Sequence, residues 1–183
     1  MISLAEHQNI INELDATIFD REDRHLPLWA SSIFLKFYLN KNGKKRGTWG
    51  EQYFRAQCKA LGVNVESPES SEHDGIFNGI KIEIKTNGSS YGGSKMRINW
   101  AQIRPSQDYD LMICQVITPD KVYYFRFTPA EIQQLITQGK ITGQHGGDHV
   151  NSGTYILSGS KIPTWVLSYQ VELSDIISEL DRS

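Results

Sequence analysis

Cysteine is scarce in this chain. Cys58 and Cys114 are the two present, far apart and in no Cys-x-x-Cys pair, so two ordinary buried thiols in a reducing compartment are expected. Long apolar runs are missing too. None approaches the ~20 residues that a membrane helix needs. The opening stretch from Met1 to Gln8 has no basic region followed by an apolar one, so no signal peptide is visible. No membrane partner and a cytoplasmic location are the expectations. Internal repeats are also absent, as is any linker long enough to divide the 183 residues into separate domains.

An excess of basic charge, the usual mark of a nucleic-acid binder, is lacking as well: the net charge is −2. Its distribution says more than its sum. From Lys36 to Arg104 there are twelve Lys and Arg against six Asp and Glu, a stretch of +6. The remainder holds seven basic and fifteen acidic residues and carries −8. The basic stretch also contains the residues with the strongest chemical pattern.

Apolar spacing predicts a helix over residues 2–19 and a second from about Leu26 to Leu39, with Pro27 at a tolerated early position. Asn40–Gly47, containing Lys44, Lys45 and Arg46, reads as a basic loop. Thr48 and Glu51 have capping-box spacing for a helix that runs to Leu61 and ends at Gly62. Val63–Glu66 is a short strand, and 67–73 is polar loop. Leu111–Ile117 and Val122–Phe127 are apolar strands. Thr128-Pro-Ala-Glu131 opens a helix that stops near Gly139. A strand is expected at Thr164–Ser168, and a closing helix from Ser174. The order implies an α/β (α+β) fold with a mixed central β-sheet flanked by helices.

Between 73 and 86 lies the informative segment. Asn78-Gly79 separates two strand-like runs, the strongest short-range hairpin signal. A two-residue loop sets Phe77 opposite Ile80, Ile76 opposite Lys81, Gly75 opposite Ile82 and Asp74 opposite Glu83. Alternation puts Phe77, Ile80, Ile82 and Ile84 on one face, and Asp74, Lys81, Glu83 and Lys85 on the other. Opposed carboxylates destabilise a sheet unless something neutralises them. A divalent cation does so economically, since Mg²⁺ takes one or two carboxylates and keeps several waters. Lys81 and Lys85 pairing with the acids on a solvated strand is the plainer alternative.

An acid, a short spacer and then Glu-x-Lys on a strand, here Asp74 and Glu83-Ile84-Lys85, resembles the PD-(D/E)XK nuclease superfamily, which includes many type II restriction endonucleases. The chain departs from the name in having His73, not proline, before Asp74. Glu51 is similar to the glutamate that often precedes the hairpin on a helix, and Gln102 to the glutamine that often follows it. The resemblance covers about residues 47–127, flanked by N-terminal helices over about 1–46 and a C-terminal part over 128–183.

The resemblance implies a restriction endonuclease-like core and a Mg²⁺-dependent endodeoxyribonuclease, with Mn²⁺ able to substitute. Asp74, Glu83, Lys85 and Glu51 would be catalytic. Asp74, Glu83, the Ile84 carbonyl and Glu51 would hold metal. Lys44, Lys45, Arg46, Lys95, Arg97, Gln102 and Arg104 are candidate contacts to double-stranded DNA. Sequence-specific restriction, by a homodimer, is the preferred activity. Junction-resolving, repair or homing cleavage on the same scaffold, and a non-catalytic DNA-binding module, stay open. Trp100 is expected in packing, and His145 and His149 in a loop.

Overall fold

Asn78 and Gly79 have φ of +48° and +87°, the left-handed values that a type I′ hairpin turn demands and that Asn and Gly tolerate. This computed structural model describes residues 4–13, 25–40, 42–144 and 153–182. In chain order the elements are α1 (Leu4–Glu13), α2 (Leu26–Trp29), α3 (Leu35–Leu39), α4 (Gly43–Ala60), β1 (Val65–Glu66), β2 (Gly75–Phe77), β3 (Ile80–Gly88), β4 (Ile98–Ile103), β5 (Leu111–Ile117), β6 (Val122–Phe127), α5 (Pro129–Thr137), β7 (Thr142–Gly143), β8 (Tyr155–Gly159), β9 (Gln170–Val171) and α6 (Leu173–Leu180).

The main sheet runs β1-β2-β3-β5-β6-β9. It is mixed: β3 and β5 are parallel, and the other neighbours antiparallel. The hairpin register is the expected one, with Gly75 opposite Ile82, Ile76 opposite Lys81 and Phe77 opposite Ile80. A second sheet, β4-β8-β7, lies beside it. One face of the main sheet packs Phe77, Ile82, Ile84 and Ile113 against Phe54 and Cys58 of α4 and Ile176 and Leu180 of α6. The other packs Met112, Cys114, Val116 and Phe125 against Ile98, Trp100 and Leu157 of the second sheet and Ile132 and Leu135 of α5. Cover on both faces explains why every residue of β5 is buried and apolar save Gln115. Both cysteines are free and buried. No described helix is long and apolar enough to cross a membrane.

Four expectations are corrected. The segment 26–39 is two short helices, α2 and α3, not one. Thr164–Tyr169 is a 3₁₀ helix rather than a strand. Residues 44–46 are not a loop but the first turn of α4, which starts at Gly43. Thr48 therefore sits inside the helix and caps nothing. Asn42 is the cap, and its side chain accepts from the Lys45 N–H at 3.2 Å. Asparagine caps at least as well as threonine, and the Lys-Lys-Arg run after it favours helix. The Thr128–Glu131 capping box does form. The helix expected over residues 2–19 is described only over its stretch 4–13, and His145 and His149 lie outside the described residues.

Candidate active site

Past Gly75 the ladder between β2 and β3 ends. The Asp74 N–H donates to the Ile82 carbonyl at 2.9 Å, one step out of the register that would set Asp74 squarely opposite Glu83. This leaves the Ile84 N–H with no strand partner on that edge. The Asp74 carboxylate takes it, Oδ2 accepting at 2.7 Å. Arg55 secures the other side of the same residue: its Nη1 donates to the Asp74 carbonyl at 2.6 Å and its Nη2 to the Glu66 carbonyl at 3.2 Å. Asp74 is thus pinned where β1 and β2 meet α4.

Glu83 is 5% exposed although its strand face is the polar one, because the second sheet and Tyr109 belong to the layer covering that face. Its Oε1 accepts from Lys85 Nζ at 2.5 Å, and the Asp74 carboxylate is close enough to act on it electrostatically. Burial pushes Glu83 up to about 7. Asp74 adds to the rise, and the Lys85 ammonium opposes it. Burial likewise pushes Glu51 up to about 7, with the charges of Asp74 and Glu83 adding and those of Lys85 and Arg55 opposing. The three carboxyls and Lys85 therefore form one electrostatic unit. Lys85 pairs with Glu83, as the plainer alternative has it, but on a buried carboxyl and not on a solvated strand, and Lys81 pairs with Asp108 instead of with Asp74.

Glu51 reaches this unit because α4 lies unusually close to β3. A Cβ built on Gly50 would stand 2.1, 2.4 and 2.6 Å from Oγ1, Cγ2 and Cβ of Thr86. Gln115 clamps the contact, its Nε2 donating to the Gly50 carbonyl at 2.7 Å and to Thr86 Oγ1 at 2.8 Å. Gly50, Thr86, Gln115 and Arg55 were not singled out by sequence. The available signal was Gly50 itself: glycine inside a helix costs about 1 kcal/mol, so its presence asks for a packing reason.

A cleft of about 730 Å³ opens over this region. Lys44, Arg46, Glu51, Ile84, Lys85 and Gln102 line it, while Asp74 and Glu83 do not and connect to it through Lys85. Gln102 has φ of +56°. It sits in a β-bulge, where three residue steps from Trp100 to Ile103 oppose two from Leu157 to Tyr155. A non-glycine residue in the left-handed region is uncommon, and this one lies beside the cleft. Lys45 lines an adjoining groove of about 420 Å³. Lys95, Arg97 and Arg104 are exposed and line neither. Trp100 is core, as expected, and its indole N–H donates to the Gln115 carbonyl at 3.2 Å.

Among the described residues, no group of three His, Cys, Asp or Glu side chains closes on a single metal position. The pair Asp74 and Glu83 still suits Mg²⁺, which is content with two carboxylates and retained waters. In a strand, the N–H and C=O of one residue point to the same edge. The Ile84 carbonyl therefore faces the edge on which Asp74 takes the Ile84 N–H.

The raised carboxyls have a consequence for stability. A group whose folded pKa exceeds its unfolded value stabilises the fold below the unfolded pKa, and that contribution is lost as pH rises through the folded pKa. For Glu51 and Glu83 the window runs from 4.5 to about 7. In EDTA, the melting temperature of the wild type relative to Glu83→Gln should fall between pH 5 and pH 8. A difference that stays flat or rises across that range refutes the raised carboxyls.

No family profile and no curated protein matches the sequence. Among solved structures the fold is similar to that of a bacterial homing endonuclease, I-Ssp6803I, with a TM-score of 0.46 and 14% identity, covering 75% of this chain and 94% of that one. Similarity this distant says nothing about chemistry, which rests on the side chains.

Proposed function

We propose that the chain is a metal-dependent endonuclease that hydrolyses phosphodiester bonds in double-stranded DNA. The observation that carries this reading is the Asp74–Glu83 carboxyl pair at the end of a hairpin, half-buried at Asp74 and buried at Glu83, with Lys85 hydrogen-bonded to Glu83 and facing a cleft that also holds Lys44 and Arg46. A purely structural sheet gains nothing by burying a carboxyl at Glu83 beside the charge of Asp74.

Asp74 and Glu83, with the Ile84 carbonyl, would hold Mg²⁺ or Mn²⁺. A metal held there would supply a water of lowered pKa and positive charge to offset that of the phosphoryl oxygens. Lys85, drawn to Glu83 on one side and open to the cleft on the other, orients the attacking water and stabilises the growing negative charge of the phosphate. Glu51, on α4, would add a third carboxyl to that metal or to its waters. Arg55 keeps Asp74 in place, and the bulge at Gln102 presents an amide to the cleft. Cleavage of both strands with one such centre per chain calls for two copies, so the working unit is a homodimer, and sequence-specific restriction is the activity that suits it.

The test is incubation of the purified protein with plasmid and phage DNA of mixed sequence, in Mg²⁺ and in EDTA, beside Glu83→Ala. Discrete fragments that need metal and vanish in the variant support the full reading. A metal-dependent smear keeps the nuclease and removes sequence specificity. Cleavage unaffected by EDTA or by the variant sinks the assignment.

A further inference from the structure

The cleft has a second charged end. Arg46 lies on α4 five residues before Glu51 and lines the same cleft as Lys85. Its guanidinium reaches the last residue of β3, where Nη1 stands 3.9 Å from the position a Cβ would take on Gly88. The same missing side chain makes room for Phe37, whose Cε1 lies 2.8 Å from that position. Glycine at 88 therefore leaves the space these two side chains use.

Arg46 is partly buried, and burial pulls its pKa down while the Tyr38 phenol opposes the shift. It stays charged all the same, since a guanidinium does not deprotonate in proteins. A charge taken out of water is normally matched by an opposite charge. Among the described residues Arg46 takes part in no ion pair. Glu51, the acid lining the cleft, interacts with Lys85 and Arg55 rather than with Arg46. With no carboxylate among the described residues paired to it, Arg46 is left facing the cleft, and the other cations there, Lys44 and Lys85, suit the cleft to an anion.

We propose that Arg46 holds a second backbone phosphate of the cleaved DNA strand. The proposal rests on the nuclease reading. Gly88 follows Lys85 by three residues on β3, a separation of about 10 Å at ~3.3 Å per residue. Phosphates of one strand succeed each other every ~3.4 Å along the duplex axis, so the phosphate at Arg46 lies one to three nucleotides from the bond broken at Lys85. Such a contact carries no sequence information. It fixes register, so that the scissile bond comes to rest at the carboxyl cluster.

The test compares wild type with Arg46→Gln and Arg46→Lys on a labelled 30-base-pair duplex of mixed sequence. Binding is followed in EDTA across a salt series, and cleavage kinetics are followed in Mg²⁺ on plasmid DNA. In Arg46→Gln, the slope of log affinity against log salt should fall in magnitude by about 1, and KM should rise roughly 10- to 100-fold with kcat little changed. Arg46→Lys should restore the slope and recover part of KM, because the charge returns without the fork. An unchanged slope in Arg46→Gln overturns the proposal and leaves the nuclease standing. So does a variant that loses kcat and melts early at constant slope, which marks Arg46 as structural. A wild type that neither binds nor cuts DNA removes the nuclease reading and this proposal with it.

Discussion

Asp74→Asn and Lys85→Ala should each slow DNA cleavage by about a thousandfold or more, the scale on which removal of one electrostatic partner of a phosphoryl or acyl transition state is felt. The two changes act differently. Asparagine at 74 keeps an oxygen that can accept the Ile84 N–H, so the end of the hairpin survives and the charge alone is lost. It also removes a charge that pushes the Glu83 carboxyl up, so the decline of melting temperature with rising pH should flatten in this variant. Lys85→Ala removes the ammonium that holds Glu83 down. Glu83 should then stay protonated to higher pH, and the metal needed for half-maximal activity should rise. Circular dichroism and thermal melting separate these effects from unfolding. If both variants cut at wild-type rates with intact folds, the chemistry is not at this cluster.

Gly50→Ala should be as damaging by another route. The added methyl meets Thr86 at distances down to 2.1 Å, and the contact at 2.6 Å is to the Thr86 Cβ, which no rotamer change can move away. The helix has to lift off the strand. Overpacking of this kind costs about 1–3 kcal/mol, or roughly 2–12 °C of melting temperature in a domain of this size. Activity should fall further than stability, because α4 also carries Glu51, and the clamp from Gln115 to the Gly50 carbonyl opens as the helix moves. Adding Thr86→Ala, which deletes the two shortest contacts, should recover part of both losses. A non-additive double-mutant cycle would locate the effect in this contact rather than in helix propensity, whereas Gly50→Ala with full activity would disconnect the close approach from catalysis.

The hairpin and its register were legible because a two-residue turn is local: Asn-Gly and the alternation around it settle the pairing within ten residues. Asp74, Glu83 and Lys85 came with it. The last step of the register was not legible, because past Gly75 the backbone of Asp74 is engaged by a residue distant in sequence, Arg55 of α4, which donates to its carbonyl. For Glu51 the structure separates two readings: the capping-box role that its spacing from Thr48 suggested is pre-empted by Asn42, while the side chain does lie with Asp74, Glu83 and Lys85. The second sheet was missed because β4 pairs with β8 more than fifty residues away, and a five-residue strand preceded by glycines and histidines announces nothing locally. Gly50 and Gln115 belong to a helix–sheet contact 65 residues apart. Of the seven cations and amides expected at DNA, Lys44, Arg46 and Gln102 share the cleft. Lys95, Arg97 and Arg104 are simply charged and exposed, which a sequence cannot distinguish.

One rigid rod, α4, carries Arg46, Gly50, Glu51 and Arg55, and this limits how the protein can change over time. A residue gained or lost between Arg46 and Glu51 would swing one relative to the other by about 100° and shift it by about 1.5 Å. Neither end of the cleft can drift without the other. Point substitution is left as the means of varying this helix among descendants, while length variation is confined to surface segments such as the exposed stretch from Ser67 to Glu72, which touch neither end of the rod.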